Sequence, residues 1–172
     1  MPGPVFPSGD RLTLRAATAD DADFVAEYWN RPQIRRYTHQ HDPQTPAEVR
    51  SWLEQDQDDF VDFVPCRDGE PVGFGWAFDV DDVASTAEIG YWICATERGQ
   101  GYATETVELL AEWAFEDRQL HRLQARVFAG NEASERVLEK AGFEREGTLR
   151  EAYRVEGERV DATVFGLLAD EF

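Results

Sequence analysis

A chain of 172 residues, 42% of them apolar, is long enough to close around its own hydrophobic core without disulfide or metal staples. Acidic residues number 35 against 17 basic ones, a formal charge of −18, so nucleic acid and anionic lipid are repelled rather than bound. No apolar run approaches the roughly 18 residues that a membrane span needs. The opening MPGPVFPSGD lacks the basic-then-apolar pattern of a secretory signal, and the expected location is cytoplasmic. Lys140 is the one lysine, every other cation being arginine. Acid spread along the whole chain with almost no lysine fits two readings. One is an acidic surface that recruits a cationic partner. The other, the expectation here, is a halophilic protein in molar salt, where the Debye length shrinks to about 3 Å.

No repeat, low-complexity tract or Pro/Gly linker divides the sequence, so residues 1–172 read as one domain. In RLTLRAATADDADFVAEYWN, Leu12, Leu14 and Ala16 alternate as in a strand. Thr18 with Asp21 then frames a helix start, followed by an apolar stripe of Phe24, Val25, Tyr28 and Trp29. Thr45-Pro46-Ala47-Glu48 is a capping box on a proline-initiated helix, expected to run to about Gln57. FVDFVPCRDGEPVGFGWAFDV reads as two strands joined by Arg67-Asp68-Gly69-Glu70, an Asp-Gly hairpin turn. In the next strand, STAEIGYWICA, Ala87, Ile89, Tyr91 and Ile93 share one face while Glu88, Gly90, Trp92 and Cys94 share the other. Antiparallel strands followed by a strand–loop–helix–strand–helix run predict a mixed α/β (α+β) sheet, not a doubly wound one.

Cys66 and Cys94 fall in predicted strands without metal-ligand spacing or a redox motif, and read as buried, inert thiols. His39, His41 and His121 form no spaced set either, so no metal site is expected.

The stretch from Glu88 to Phe143 carries the chemistry. A strand ends near Ala95, and Arg98-Gly99-Gln100-Gly101-Tyr102-Ala103 leads into a helix with Val107, Leu110, Ala111 and Ala114 on one face. Gly99 and Gly101 allow a tight turn and close backbone approach. Free N–H groups at a helix N-terminus, beside Arg98, suit a phosphate; a ligand-free glycine turn is the alternative from the loop alone. Neither standard nucleotide loop fits. The Gly-Lys-Ser/Thr ending of a Walker loop is absent, and the third glycine of a dinucleotide loop is replaced by Thr104.

Arg98, Gly101 and Ala103 match the pattern Arg/Gln-x-x-Gly-x-Gly/Ala, which resembles the acetyl-CoA pyrophosphate loop of the GNAT superfamily. VFAGNEASERVLEKAGFEREG resembles that superfamily's second cofactor segment, and the opening segment, EIGYWI and DATVFGLL are similar to its RimJ/RimL-like branch. The likeness extends over nearly the whole chain. It implies a mostly antiparallel sheet flanked by helices and direct transfer of an acetyl group from acetyl-CoA to a primary amine, protein N-termini being the acceptors typical of the branch. It also implies cofactor contacts from Ile93, Ala95, Arg98, Gly99, Gln100, Gly101, Tyr102, Ala103, Thr104 and Asn131, and oxyanion donors on the backbone from about Trp92 to Ala95. A homodimer is expected at the level of the family.

Transfer needs a base, oxyanion donors and a proton for the leaving thiolate. Glu88 is the first candidate base, acting through water beside Trp92; a strand glutamate facing solvent or paired with a structural arginine is the alternative. Glu151 is a second candidate base. Ser134 and Tyr153 are candidate proton donors, a half-buried packing tyrosine being the alternative for Tyr153. Asn131 also reads as a plain N-cap with Ser134 at N3, two roles that are compatible. Trp29, Arg35, Arg36 and Tyr37 lie where the family shapes its acceptor groove, although Trp29 also reads as core. Two rival functions share the loop: a small-amine (polyamine or aminoglycoside) acetyltransferase, and a non-catalytic acyl-CoA sensor.

Overall fold

Apolar alternation and local turn chemistry set the first half of the chain. The computed structural model describes residues 3–38, 41–55 and 57–172, so His39 lies outside the described residues. Strands β1 (Val5–Ser8) and β2 (Thr13–Ala16) pair antiparallel. The Thr18 N–H then donates to the Asp21 carboxylate at 2.8 Å, and a 3₁₀ turn over Ala19–Asp21 runs into α1 (Ala22–Trp29). Asp21 also holds the buried Arg15 guanidinium, which keeps the carboxyl below its ordinary range against the upward push of burial.

After the single turn α2 (Pro32–Arg35), α3 (Pro46–Leu53) opens on the expected capping box. The Glu48 N–H donates to Thr45 Oγ1 at 3.2 Å, and the Thr45 N–H donates to the Glu48 carboxylate at 2.8 Å. The helix stops at Leu53, a turn short of Gln57, because the polar run QDQDD offers no apolar residue to hold another turn on the sheet.

Strands β3 (Val61–Arg67), β4 (Glu70–Pro71) and β5 (Gly73–Asp81) form the predicted hairpin. Asp68 and Gly69 both take positive φ, 51° and 86°, the backbone that a primed two-residue turn requires. Strand β6 (Thr86–Ile93) ends two residues before Ala95, leaving Cys94 buried just beyond it at the start of a 3₁₀ turn. Then come α4 (Tyr102–Glu112), β7 (Arg122–Phe128), α5 (Glu132–Lys140), β8 (Glu144–Val155) and β9 (Glu158–Leu168).

The sheet order is β1-β2-β3-β5-β6-β7-β9-β8, with β4 pairing β3 off this path. β6 and β7 run parallel and the other neighbours antiparallel, which is the mixed, mostly antiparallel sheet the sequence predicts. On one face, Val107, Leu110, Ala111 and Ala114 pack with Ala87, Ile89 and Ile93. On the other, Val25, Trp29 and Val49 pack with Phe74, Trp92 and Cys94. The two faces of β6 are thus sorted as its alternation requires. Trp29 is a core residue, its ring meeting those of Trp52, Phe74, Trp76 and Trp92. Among the described residues, no helix is long and apolar enough to cross a membrane.

A buried carboxylate ties the edge of the sheet to α4. Glu105 Oε1 accepts the backbone N–H groups of Arg11 and Leu12, each at 2.8 Å, while Oε2 accepts Arg11 Nε at 2.9 Å. Burial pushes its pKa up, but these donors outweigh burial and hold it below the ordinary value of 4.5. A depressed folded pKa means the stabilisation is complete above the unfolded value and is lost as pH falls through the folded one. Glu105→Gln weakens every bond in this brace. The expected cost is about 2 kcal/mol, read as a Tm lowered by roughly 4–8 °C at neutral pH and by less in acid.

Candidate active site

The sheet comes apart where its single parallel pairing stops. β6 and β7 are paired at Thr86–Arg122, Ala87–Leu123 and Glu88–Gln124, and no further. Beyond that point β6 stays paired with β5 and β7 with β9, so the facing edges of β6 and β7 diverge. Cys94 N–H donates to the Val72 carbonyl at 2.8 Å. Hydrogen bonding alternates along an antiparallel pair, so Trp92 also turns its amide toward β5. The amides of Tyr91 and Ile93 therefore face the gap. Of the backbone expected to supply oxyanion donors, Trp92 and Cys94 are spent on β5, while Ile93 is available and Tyr91 joins it. A cavity of about 740 Å³ occupies this wedge, bounded by Glu88, Tyr91, Arg126, Ser134 and the loop before α4.

That loop is built for an anion. Gly99 and Gly101 have φ of 77° and 83°, and Gly101 caps the N-terminus of α4. Arg98 Nε donates to the Ile93 carbonyl at 3.3 Å, joining the loop to the open strand edge. Arg98, Gly99, Gly101, Tyr102, Ala103 and Thr104 line the cavity. Gln100 does not: its carbonyl accepts from Arg11 and its side chain donates to Glu97. Ala95 lines a neighbouring recess of about 120 Å³ with Arg98 and Tyr28. Arg136 and Lys140, the lone lysine, add positive charge on the α5 side, a local reversal of the chain's overall sign that favours an acidic ligand. These features fit a nucleotide-like pyrophosphate at the loop and an extended arm along the wedge.

Glu88 is 6% exposed yet lines the cavity. Burial raises its pKa, opposed by Arg126 and by Gln124. Arg126 Nε lies 3.2 Å from Glu88 Oε2, and Gln124 Nε2 donates to the same oxygen at 3.1 Å. The arginine-paired reading of Glu88 is thus present in the structure and the solvent-facing one is not, while its place on the cavity wall keeps it a candidate base. Tyr153 stands outside the cavity lining: its hydroxyl accepts from Arg126 Nη1 at 3.2 Å, and its ring stacks on Phe128 at 4.0 Å. Glu151 is exposed, with its N–H donating to Asp161.

Asn131 caps α5 by accepting the Ser134 N–H at 3.4 Å, and both residues line the cavity. Ser134 Oγ lies 2.7 Å from the Tyr91 hydroxyl, whose pKa burial pushes far up, so the phenol stays protonated. Sequence reasoning put Tyr91 on the correct face of β6 but gave it no chemical role. It likewise missed Arg126 and Trp76. The Trp76 indole packs against Gly90, where a Cβ would meet it at 2.3 Å; a glycine flanked by aromatics in a strand is the one sequence trace of this packing. Of the four groove candidates, Tyr37 lines the cavity and its hydroxyl donates to the Gly130 carbonyl at 3.3 Å. Arg36 pairs with Glu156 at 3.2 Å.

Comparison with known proteins agrees with this geometry. Residues 11–144 match the family described as Acetyltransferase (GNAT) domain. The chain is 34% identical over 151 residues to Bacillus subtilis YjcK, named a probable N-acetyltransferase, covering 87% of this chain and 83% of that one. It is 28% identical over 172 residues to YdaF of the same organism, provisionally named a ribosomal N-acetyltransferase, covering 95% and 94%. Among solved structures, spermidine N-acetyltransferase from Vibrio cholerae, in complex with CoA and spermine, superposes with a TM-score of 0.90 at 21% identity, covering 95% of this chain and 98% of that one. RimL, a ribosomal L7/L12 alpha-N-protein acetyltransferase in complex with coenzyme A, superposes with a TM-score of 0.89 at 18% identity, covering 98% and 100%. The chain belongs to the GNAT acetyltransferase family and is an acetyl-CoA-dependent N-acetyltransferase.

Proposed function

We propose that this enzyme acetylates the α-amino group of a protein N-terminus by direct attack. The observation that carries the choice of acceptor is the charge around the cavity. Three carboxylates line it, Glu88, Glu97 and Glu132. Each pairs with an arginine, Glu97 with Arg67 at 3.3 Å, Glu132 with Arg136 at 3.4 Å and Glu88 with Arg126 at 3.2 Å, but Glu88 alone of the three is buried, at the point where β6 and β7 diverge, which makes it the anion for the acceptor. One carboxylate among the aromatic surfaces of Tyr37, Trp76 and Phe78 suits a single ammonium followed by neutral backbone. A polyamine or aminoglycoside brings further cations that ask for further anions.

Acetyl-CoA supplies an activated acetyl group; the chain's own residues supply the proton transfers and the polar environment. Glu88 takes the acceptor's proton through water. The amides of Tyr91 and Ile93 donate toward the carbonyl oxygen as charge develops there. Ser134 Oγ delivers a proton to the leaving sulfur and is reprotonated by the proton that the attacking nitrogen sheds, while the neutral Tyr91 phenol 2.7 Å away holds the hydroxyl in place. Arg98, Gly99 and Gly101 to Thr104 hold the pyrophosphate, with Asn131 and Ile93 along the arm. A cytoplasmic, salt-adapted setting belongs to the same reading, supported by the charge of −18 and the lone lysine.

Initial rates with acetyl-CoA in molar KCl test the acceptor. A peptide with a free α-amine is expected to exceed, by at least about tenfold in kcat/KM, the same peptide blocked at its N-terminus and carrying an internal lysine. It should likewise exceed spermidine and an aminoglycoside. A tenfold preference corresponds to roughly 1.4 kcal/mol of differential binding in the transition state. Faster turnover of spermidine or the aminoglycoside would transfer the assignment to small amines. Binding of acetyl-CoA without transfer to any of these amines would argue for the sensor.

A further inference from the structure

Arg126 sits at the fork of the sheet and touches three strands. Its Nε is 3.2 Å from Glu88 Oε2 on β6, its own backbone belongs to β7, and its Nη1 donates to the Tyr153 hydroxyl on β8 at 3.2 Å. Gln124, the last residue of the parallel ladder, donates to the same Glu88 oxygen at 3.1 Å. Both donors therefore converge on Oε2. Tyr153 is itself fixed by stacking on Phe128, so the guanidinium is anchored at its far end by a rigid ring. We propose that Arg126 is the positioning residue of the base: it grips Glu88 by one oxygen across the opening between β6 and β7, and thereby reserves Oε1 for the acceptor.

This inference rests on Glu88 being the base, and it gives Tyr153 a role through Arg126 rather than at the thiolate. A buried carboxylate with two free rotamer-rich bonds would otherwise sample several orientations, and an unpaired one would lose its charge. Arg126 restrains the first and opposes the second. The charged groups facing Glu88 are Arg126 from β7 and Asp79 from β5, the latter raising its pKa, and Gln124 adds an uncharged donor. A planar guanidinium can hold a carboxylate and a phenol at once in fixed directions, whereas a lysine ammonium supplies charge without that fork.

The first arm of the test reads the carboxyl directly and does not depend on the acceptor; the second reads turnover of a free α-amine peptide. Protein carrying ¹³C at the glutamate side-chain carboxyls is titrated by NMR, the Glu88 signal being identified by its disappearance in Glu88→Gln. Arg126→Gln is expected to raise the Glu88 midpoint by about one pH unit or more. Arg126→Lys should leave that midpoint near wild type while lowering kcat with a free α-amine peptide by roughly tenfold or more, and Tyr153→Phe should lower it less. An unmoved Glu88 titration in Arg126→Gln overturns the inference. So does an Arg126→Lys enzyme with wild-type kcat, since charge alone would then suffice. Full transfer by Glu88→Gln overturns the base assignment instead, and is distinguishable because the NMR shift would persist. The lysine variant keeps the test decisive if the glutamine variant does not fold.

Discussion

Glu88→Gln should lower kcat/KM for acetyl transfer by about 10²–10⁴-fold, the usual worth of a positioned proton acceptor, while leaving acetyl-CoA affinity unchanged. The amide keeps the shape of the side chain, and its carbonyl oxygen can still accept from Arg126, but it cannot take a proton from an ammonium. Burial raises the Glu88 pKa against the pull of Arg126 and Gln124. The carboxylate is therefore formed only above the ordinary glutamate value of 4.5, and the acid limb of the wild-type kcat/KM profile should lie above that value. Kinetics from pH 4 to 9 check both points. In Glu88→Gln the glutamate limb should vanish, leaving only the ionisation of the amine. A variant that keeps the wild-type rate and limb would move the base elsewhere.

Gly101→Val should raise the Kd for acetyl-CoA by roughly 10–100-fold, the equivalent of one or two lost charge-assisted hydrogen bonds. Gly101 has φ of 83° at the N-cap of α4, where a β-branched residue is strained by about 1–3 kcal/mol. Its Cβ would also come within 3.2 Å of Arg11 Nη2. Arg11 cannot retreat easily, since Glu105 and the Gln100 carbonyl both hold it. Relief must come from the loop, which swings the first amides of the helix away from the pyrophosphate. Calorimetric titration in molar KCl measures the affinity, and far-UV circular dichroism confirms that the variant is folded. A folded variant with wild-type affinity would separate the loop from the cofactor.

The parts of the fold legible in the sequence are those fixed by neighbours along the chain. The capping box at Thr45, the Asp68-Gly69 turn and the two-sided alternation of β6 each follow from residues within a few positions of one another, and all three have their predicted form. The glycine loop was legible for the same reason. What stayed hidden depends on residues far apart. The segment EIGYWI would look the same if β6 and β7 remained paired throughout, so the divergence that turns the amides of Tyr91 and Ile93 into the gap has no local mark. The Tyr91–Ser134 contact joins β6 to α5, and the Glu88–Arg126 contact joins β6 to β7; neither partner announces the other. Tyr153 has the side-chain type that suits a proton donor, but its contact with Arg126 and its position outside the cavity lining are set by residues far from it along the chain. α3 shows the limit from the other side: its start is written in a motif, its end only in the lack of an apolar anchor.

The forked sheet also has a thermodynamic consequence. β1 to β6 and β7 to β9 are each continuous ladders, but three residue pairs join one ladder to the other, and side-chain packing does the rest. Such a seam is a natural boundary between units that open separately, since few backbone hydrogen bonds cross it. A ligand lying in the wedge touches both units and binds neither alone. It therefore couples their unfolding, adding about 2.7 kcal/mol at a concentration one hundred times its Kd. Saturating acetyl-CoA is thus expected to slow hydrogen exchange on both sides of the seam together, although it contacts few of the protected amides.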